Sequence, residues 1–163
     1  MTIGGTIARR ADVLTLRCEV RGNLSKVSIP AAAERPRRKD RLWEETCLEL
    51  FFGTADTGEY RELNLSPSGD WNVYRFDAYR AGMREEMAFT SLPFDVRRNP
   101  EAVLLTAEID IGKIVPAGKE IAAAVAAVIK TTEGGKSHWA LAHPSHRPDF
   151  HRRDGFEMIL LNS

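Results

Sequence analysis

The sequence has few cysteines, no excess of charge of either sign and no long apolar run. Lysine plus arginine total 23, as do aspartate plus glutamate, so the formal net charge is zero. This balance argues against a nucleic-acid-binding protein, because such a protein needs a basic face to neutralise phosphates. No apolar run reaches the roughly 18 residues that a membrane span requires. We therefore expect neither a nucleic-acid partner nor a membrane partner.

The chain contains two cysteines, Cys18 and Cys47, and both lie between apolar neighbours in strand-like segments. Residues 1–14 lack the apolar segment of a secretory signal, so the sequence predicts a cytoplasmic protein. Disulfides are rare in that compartment. The prediction is two buried free thiols.

Signatures of common catalytic and cofactor sites are also missing. No serine or cysteine stands in a nucleophile elbow, and neither a phosphate-binding glycine loop nor a zinc-type cysteine pair is present. The histidine-rich stretch 143–154 contains His143, His146 and His151, but two prolines interrupt it. A hydrogen-bonded structural loop is favoured over a metal site there. We predict no metal ligands and no cofactor.

Alternation of apolar and polar residues dominates the chain and is typical of strands with one buried face. Residues 119–130 are ambiguous, because their alanines favour helix whereas the neighbouring strand patterns favour a strand. We predict a strand there. The other predicted strands are 13–20, 26–29, 46–52, 60–66, 71–78, 89–92, 94–97, 103–111, 138–142 and 156–161. Residues 1–163 are thus expected to form one all-β domain, an antiparallel β-sandwich of jelly-roll type with about ten strands.

Two of these strands carry polar side chains where a buried face would be apolar. Glu49 lies between large apolar residues, and a buried glutamate is costly unless it is paired or lies in a wet pocket. In the strand 60–66, one face either suits a ligand or faces solvent, since antiparallel sheets commonly leave one face wet. The side chains of that face are Tyr60, Glu62, Asn64 and Ser66.

The three tryptophans and a cluster of arginines are candidates for a binding surface. Flat aromatic faces stack on sugar rings or planar cofactors. The alternative is that each tryptophan plugs one end of the sandwich, which is favoured for Trp139 and equally weighted for Trp43. The arginines lie between Pro30 and Trp43, where they form either a solvated loop or an anion-facing rim beside a pocket.

Four blocks span much of the chain: RLWEETCLELFF, YRELNLSPSGDWNVYRFDAYR, HWALAHP and PDFH. Together they resemble the DOMON-like proteins related to family 9 carbohydrate-binding modules. The resemblance implies a β-sandwich of about ten strands, and relatives in the wider superfamily bind sugars or haem. Haem-binding relatives use a methionine and a histidine as axial ligands. Here Met83, Met87 and the four histidines are the available side chains.

These observations predict a non-catalytic module that binds a small polar ligand, with a carbohydrate or sugar derivative as the leading candidate. Trp43 and Trp71 would stack on the ligand, and Arg41 and Arg75 would donate hydrogen bonds to it. Glu49 and Asn64 would accept or bridge hydrogen bonds. The predicted ligand-binding residues are Arg41, Trp43, Glu49, Asn64, Trp71 and Arg75. The arginines make an anionic sugar a candidate. The alternatives are a haem or redox module and a glycan-processing enzyme that uses two of Glu45, Glu49 and Glu62.

Overall fold

The protein, seen in a computed structural model that describes residues 1–161, consists of two antiparallel sheets. The smaller sheet contains β1 (Thr2–Arg10), β2 (Val13–Arg21), β8 (Ala102–Asp110) and β7 (Phe94–Asn99), in that spatial order. The larger sheet contains β3 (Cys47–Thr54), β4 (Tyr60–Leu65), β5 (Trp71–Phe76), β6 (Arg84–Glu85), β9 (Ile121–Lys130), β10 (Lys136–Ala140) and β11 (Met158–Leu160). Its order is β10-β9-β3-β4-β5-β6, and β11 also pairs with β9. The predicted antiparallel β-sandwich is confirmed.

Helical structure within residues 1–161 is limited to two 3-10 turns, Leu42–Glu44 and Arg153–Gly155. None of the helices in this part of the chain has the length and apolar character to cross a membrane. Nearly all the regular secondary structure of this part of the chain is therefore in the two sheets.

Strand alternation decides which side chains fill the space between the sheets. In β3, Leu48, Leu50 and Phe52 point inward and are buried in the core between the two sheets. We call this side of the larger sheet its inner face and the opposite side its outer face. The inner face also carries Leu63, Leu65, Trp71 and Val73. The smaller sheet contributes Leu14, Leu16, Cys18, Leu105, Ala107 and Ile109 to the same core.

The ambiguous segment is a strand, as predicted. Ile121–Lys130 pairs with β3 along one edge and with β10 and β11 along the other. Ladder hydrogen bonds on both sides outweigh the helical preference of its alanines, because tertiary pairing overrides a weak local propensity.

Four segments differ from the predicted strands. β1 was not expected from its pattern, because Gly4 and Gly5 interrupt the alternation, yet it pairs with β2 along its whole length. The predicted strand 89–92 is instead an unpaired loop whose Phe89 and Leu92 side chains are buried in the core. Only one bridge, at Val27, remains of the predicted strand 26–29, and the expected loop 79–86 contains β6.

The arginine-rich segment is attached to the sandwich through Arg38. Its guanidinium lies 4.6 Å from the centroid of the Trp71 ring. It donates hydrogen bonds to Asn72 Oδ1 and to the carbonyl oxygen of Phe89, both at 2.6 Å. For Arg38, then, the prediction of a solvated loop or an anion-facing rim is wrong, because its donors bind the protein itself.

The two cysteines are buried and free, in agreement with the prediction. Cys18 lies in the core between the sheets, whereas Cys47 lies on the outer face of β3. Burial raises the pKa of the Cys18 thiol to about 11. Thiols in such surroundings are poorly reactive, since the thiolate is the nucleophile.

Candidate ligand-binding site

A cavity of about 430 Å³ opens on the outer face of the larger sheet. Its floor includes Glu49 from β3, Glu62 from β4 and Phe76 from β5. Its volume lies in the range that is typical of small-molecule pockets. We call it the outer-face cavity.

One wall of this cavity is Trp43, which the short 3-10 turn Leu42–Glu44 presents to the sheet. Arg41 begins this turn with φ 60° in the left-handed region, a conformation that costs a non-glycine residue about 1–3 kcal/mol. The Trp43 ring meets the Tyr74 ring edge-on at 5.6 Å between centroids. Tyr74 donates a hydrogen bond to Asp40 Oδ1, on the same loop. These contacts hold Trp43, which is only partly buried, beside the cavity.

The opposite wall comes from the segment 148–156, which packs over the outer face. His151 lies edge-on to Phe51 and Phe76, with ring centroids 5.2 and 5.0 Å apart. Phe156 packs on Tyr60, which stacks on Phe76 at 4.7 Å. The polar face of β4 is therefore covered and buried, so the alternative in which it faces solvent is wrong.

Glu49 is the least satisfied polar group of the cavity. Glu49 is only 4% exposed. Within residues 1–161, its carboxyl has no hydrogen-bond or ion-pair partner. Burial, and second the nearby Glu62 carboxyl, raise the pKa of Glu49 well above its usual value. Of the two predicted environments for Glu49, a pair or a wet pocket, the structure has the pocket.

Glu62 is the second buried acid of the floor, also 4% exposed. Asn64 Nδ2 donates a 2.9 Å hydrogen bond to its Oε1 atom. Burial raises the pKa of Glu62 to about 7, although the hydrogen bond from Asn64 and the charge of Arg80 act in the opposite direction. Because Glu49 is directly opposite Asn64 in the β3–β4 ladder, Glu62 is its diagonal neighbour on the same face.

His151 approaches the acids as a neutral imidazole. Burial, and second the charge of Arg80, lower its pKa to about 4. Its Nδ1 atom lies 2.9 Å from the Tyr60 hydroxyl, which also accepts a hydrogen bond from the Arg80 backbone N–H. The His151 tautomer decides which of these two atoms donates, and the second ring nitrogen is Nε2. That atom lies 3.8 Å from Glu62 Oε2, too far for a direct hydrogen bond.

The six predicted binding residues do not converge on one face. Trp43, Glu49 and Asn64 lie on or beneath the outer-face cavity, where Asn64 orients Glu62. Trp71 pairs with Leu65 and is buried in the core. Arg75, on the same strand side as Trp71, has an ion pair with Glu59 at 2.7 Å.

Arg41 is exposed and bound to Glu44. The expectation that the two segments bring Trp43, Trp71 and Arg75 together is therefore wrong. Strand parity, set by the β4–β5 register, places Trp71 and Arg75 on the inner face.

Sequence reasoning missed the side chains that complete the cavity, namely Phe150, His151 and Arg80. The first two belong to the PDFH block, in which the sequence suggests only a metal or haem ligand for His151 and no role for Phe150. The other acid, Glu45, is exposed and forms an ion pair with Lys130 at 2.5 Å. Among the three acids considered for glycan processing, only Glu49 and Glu62 line the cavity.

The histidine-rich stretch does not gather its three histidines at one point. His151 lies in the outer-face cavity, whereas His143 packs against Phe150 at 6.1 Å between ring centroids and His146 is exposed. Within residues 1–161, no cluster of three or more His, Cys, Asp or Glu side chains has a metal-binding arrangement.

No protein-family model matches the chain, and no curated protein matches it in sequence. A solved structure, that of a candidate carbohydrate-binding protein from Bacteroides uniformis, has a similar fold with a TM-score of 0.70. The match covers 99% of this chain and 78% of that protein, at 15% sequence identity. At this identity the similarity shows the fold alone.

Proposed function

We propose that this protein is a non-catalytic module that binds a carbohydrate or sugar derivative in the outer-face cavity. The observation that carries the proposal is a buried Glu49 carboxyl without a protein partner at the floor of a cavity with aromatic walls. A carboxyl in this position offers its hydrogen-bonding capacity to a ligand, since buried polar groups are nearly always paired. Trp43 and Phe150 supply flat apolar surfaces of the kind that stack on sugar rings.

The similar fold of the Bacteroides uniformis protein supports this proposal, because that protein is named for carbohydrate binding. The proposed relationship to DOMON-like proteins and family 9 carbohydrate-binding modules also agrees with a two-sheet sandwich. Because some proteins of that group bind sugars, a carbohydrate is the first ligand class to test.

A glycan-processing enzyme is the second candidate, since Glu49 and Glu62 are neighbouring buried acids in one cavity. Glycoside hydrolysis needs one protonated and one ionised carboxyl. Here burial raises the pKa of both acids, and within residues 1–161 no lysine or arginine pairs with either one to hold it ionised as a nucleophile or base. This favours binding over hydrolysis. Release of nitrophenol from chromogenic glycosides would decide for the enzyme.

Haem binding fits the cavity less well. Met83 and His151 both line it, as the resemblance would require of axial ligands. However, the Nδ1 atom of His151 is bonded to Tyr60, and its Nε2 atom faces the Glu62 carboxyl. Two buried acids would also lie against the porphyrin face. A Soret band in the purified protein would overturn this conclusion.

The direct test compares two tryptophan variants by glycan-array screening and calorimetry. Trp43→Ala should abolish saccharide binding, because it removes one wall of the cavity. Trp139→Ala is the matched control: this tryptophan is also partly buried, but it lies at the inner-face edge with its indole N–H bonded to Ser137. Retained binding in Trp43→Ala, or a wild type that retains no saccharide, would contradict the proposal.

A further inference from the structure

We propose that the ligand carries a protonated amino group and that this ammonium binds between Glu49 and Glu62 at the floor of the outer-face cavity. The inference rests on the proposed function, because it names the ligand class, an amino sugar, for the same site. It follows from the charges and the burial around the two acids.

The floor of the cavity carries two acids without a compensating cation. Within residues 1–161, neither Glu49 nor Glu62 forms an ion pair with a lysine or arginine. Of the cations that line the cavity, Arg80 is half exposed and is bonded to Asp149 at 2.8 Å. Lys136 is exposed on β10. An ammonium donates up to three hydrogen bonds, which the free oxygen atoms of these two carboxyls accept.

The walls of the cavity also suit a cation. Trp43, Phe76 and Phe150 line it and leave the acids at the bottom of an aromatic enclosure. The face of an aromatic ring attracts a cation, most strongly when the cation is removed from water. A neutral sugar uses the same rings for stacking, but it does not use their attraction for charge.

An anionic ligand is disfavoured by the same arrangement. The arginines that made an anionic sugar a candidate do not line the cavity: Arg41 is bound to Glu44, and Arg75 is bound to Glu59. Like charges brought together in a desolvated site repel strongly. A phosphate or carboxylate of the ligand at the floor would therefore face Glu49 and Glu62, whereas the lining cations Arg80 and Lys136 are exposed.

Binding of an ammonium requires that Glu49 ionise and lose a proton to solvent. In the free protein, burial and mutual repulsion keep a proton on the Glu49–Glu62 pair. The ammonium replaces that proton, so the net charge of the occupied floor is conserved. A neutral sugar displaces no proton. The titratable and charged groups that face the pair from neighbouring elements are Cys47, Tyr60, Tyr74, Arg80, Lys136, His138 and His151.

Titration calorimetry with three matched probes tests the inference: glucosamine, N-acetylglucosamine and glucose. The measurement is made at about pH 6, roughly two units below the pKa of an α-amino group, so that the free amine is protonated. Glucosamine should bind about tenfold more tightly than either neutral probe, since hydrogen bonds to charged groups are the stronger ones. Repetition in two buffers of different ionisation enthalpy should show about one proton released per glucosamine bound.

Glu49→Gln should remove both the preference for glucosamine and the proton release, so that this variant binds glucosamine no more tightly than glucose. The matched control is Glu101→Gln, an exposed acid outside the cavity, which should behave as the wild type. The proton count on the wild-type protein needs no variant and stands even if Glu49→Gln fails to fold.

Equal affinities for the three probes, or glucosamine binding without proton release, would overturn the amino-group inference and leave saccharide binding in place. Absence of binding by all three probes would overturn both. The two failures are therefore distinguishable in one experiment.

Discussion

Replacement of Glu62 by glutamine is expected to stabilise the ligand-free protein at about pH 8 and to change its stability little at about pH 4. Glutamine has nearly the shape of the protonated acid, and its carbonyl oxygen can keep the hydrogen bond from Asn64 Nδ2. The substitution thus removes the ionisation of a buried group without removing its packing.

The size of the effect follows from the pKa. The folded protein raises the pKa of Glu62 from 4.5 to about 7, and each pH unit corresponds to about 1.36 kcal/mol. Once the carboxyl is ionised in both states, the folded state is therefore about 3 kcal/mol less stable than with a neutral group. Because Glu62 also raises the pKa of Glu49, its removal relieves that second acid and adds to the change in the same direction.

The sign of the pH dependence differs between the two titrating groups of the cavity. For Glu62, the folded pKa is raised, so stability is fully present at acid pH and is lost as the pH rises from about 4.5 through about 7. For His151, the folded pKa is lowered to about 4, so stability falls as the pH falls below about 6.5. The two trends oppose each other, and the wild-type curve alone would understate both. The difference in free energy of unfolding between wild type and Glu62→Gln does not contain the His151 contribution, because burial and Arg80 lower the pKa of His151 in both proteins.

The assay is urea unfolding of wild type and Glu62→Gln at intervals from about pH 4 to about pH 8, with the free energy of unfolding obtained by linear extrapolation. The difference between the proteins should grow by about 3 kcal/mol across this range. Glu101→Gln, which removes an exposed acid, should run parallel to the wild type. Parallel curves for Glu62→Gln would refute the reasoning, since Glu62 would then titrate as if it were solvated.

Three further predictions concern the tryptophans, the thiols and the arginine loop. Trp71→Ala should lower the free energy of unfolding by about 3–5 kcal/mol and the melting temperature by about 10 °C. Trp43→Ala should leave the melting temperature nearly unchanged. Similar drops in melting temperature for the two variants would contradict the assignment of Trp43 to a cavity wall. Thiol titration without reductant should count Cys18 and Cys47 only after denaturation, since both are buried, and a count of zero would indicate a disulfide. Arg38→Lys should lower the free energy of unfolding by about 1–3 kcal/mol, because one ammonium cannot serve all the acceptors of the guanidinium; an unchanged denaturation midpoint would show that those bonds contribute little.

Much of the fold could be read from the sequence because side chains alternate between the two faces of a strand. The pattern of Leu48, Leu50 and Phe52 correctly predicted an inward face of β3, with Cys47 and Glu49 opposite. The ends of the strands and the way in which they pair were harder to predict from the sequence. β1 carries two glycines and mostly exposed side chains, so it exists as a strand through its pairing with β2.

The structure brings only some of the predicted binding residues together, and the errors of placement share one cause. Glu49 and Asn64 lie on one face, because the β3–β4 ladder pairs them directly. Trp71 and Arg75 were expected beside them, but Trp71 is opposite Leu65 and so faces the core. A shift of register by one residue exchanges the two faces of a strand. The alternation alone does not reveal which face of β5 lies next to which face of β4.

The sequence by itself determined most of the strand content, the division of those strands into two faces and the unusual acid at position 49, because these depend on residues a few positions apart. Only the tertiary structure decided that the polar face of β4 is covered rather than exposed to solvent. The cover comes from residues far along the chain: the hydrogen bond between Tyr60 and His151 joins positions 91 residues apart. Local periodicity sets the side of the sheet on which a residue lies. The free energy that brings a distant segment onto that side comes from burial of apolar surface, which has no direction and leaves no local pattern.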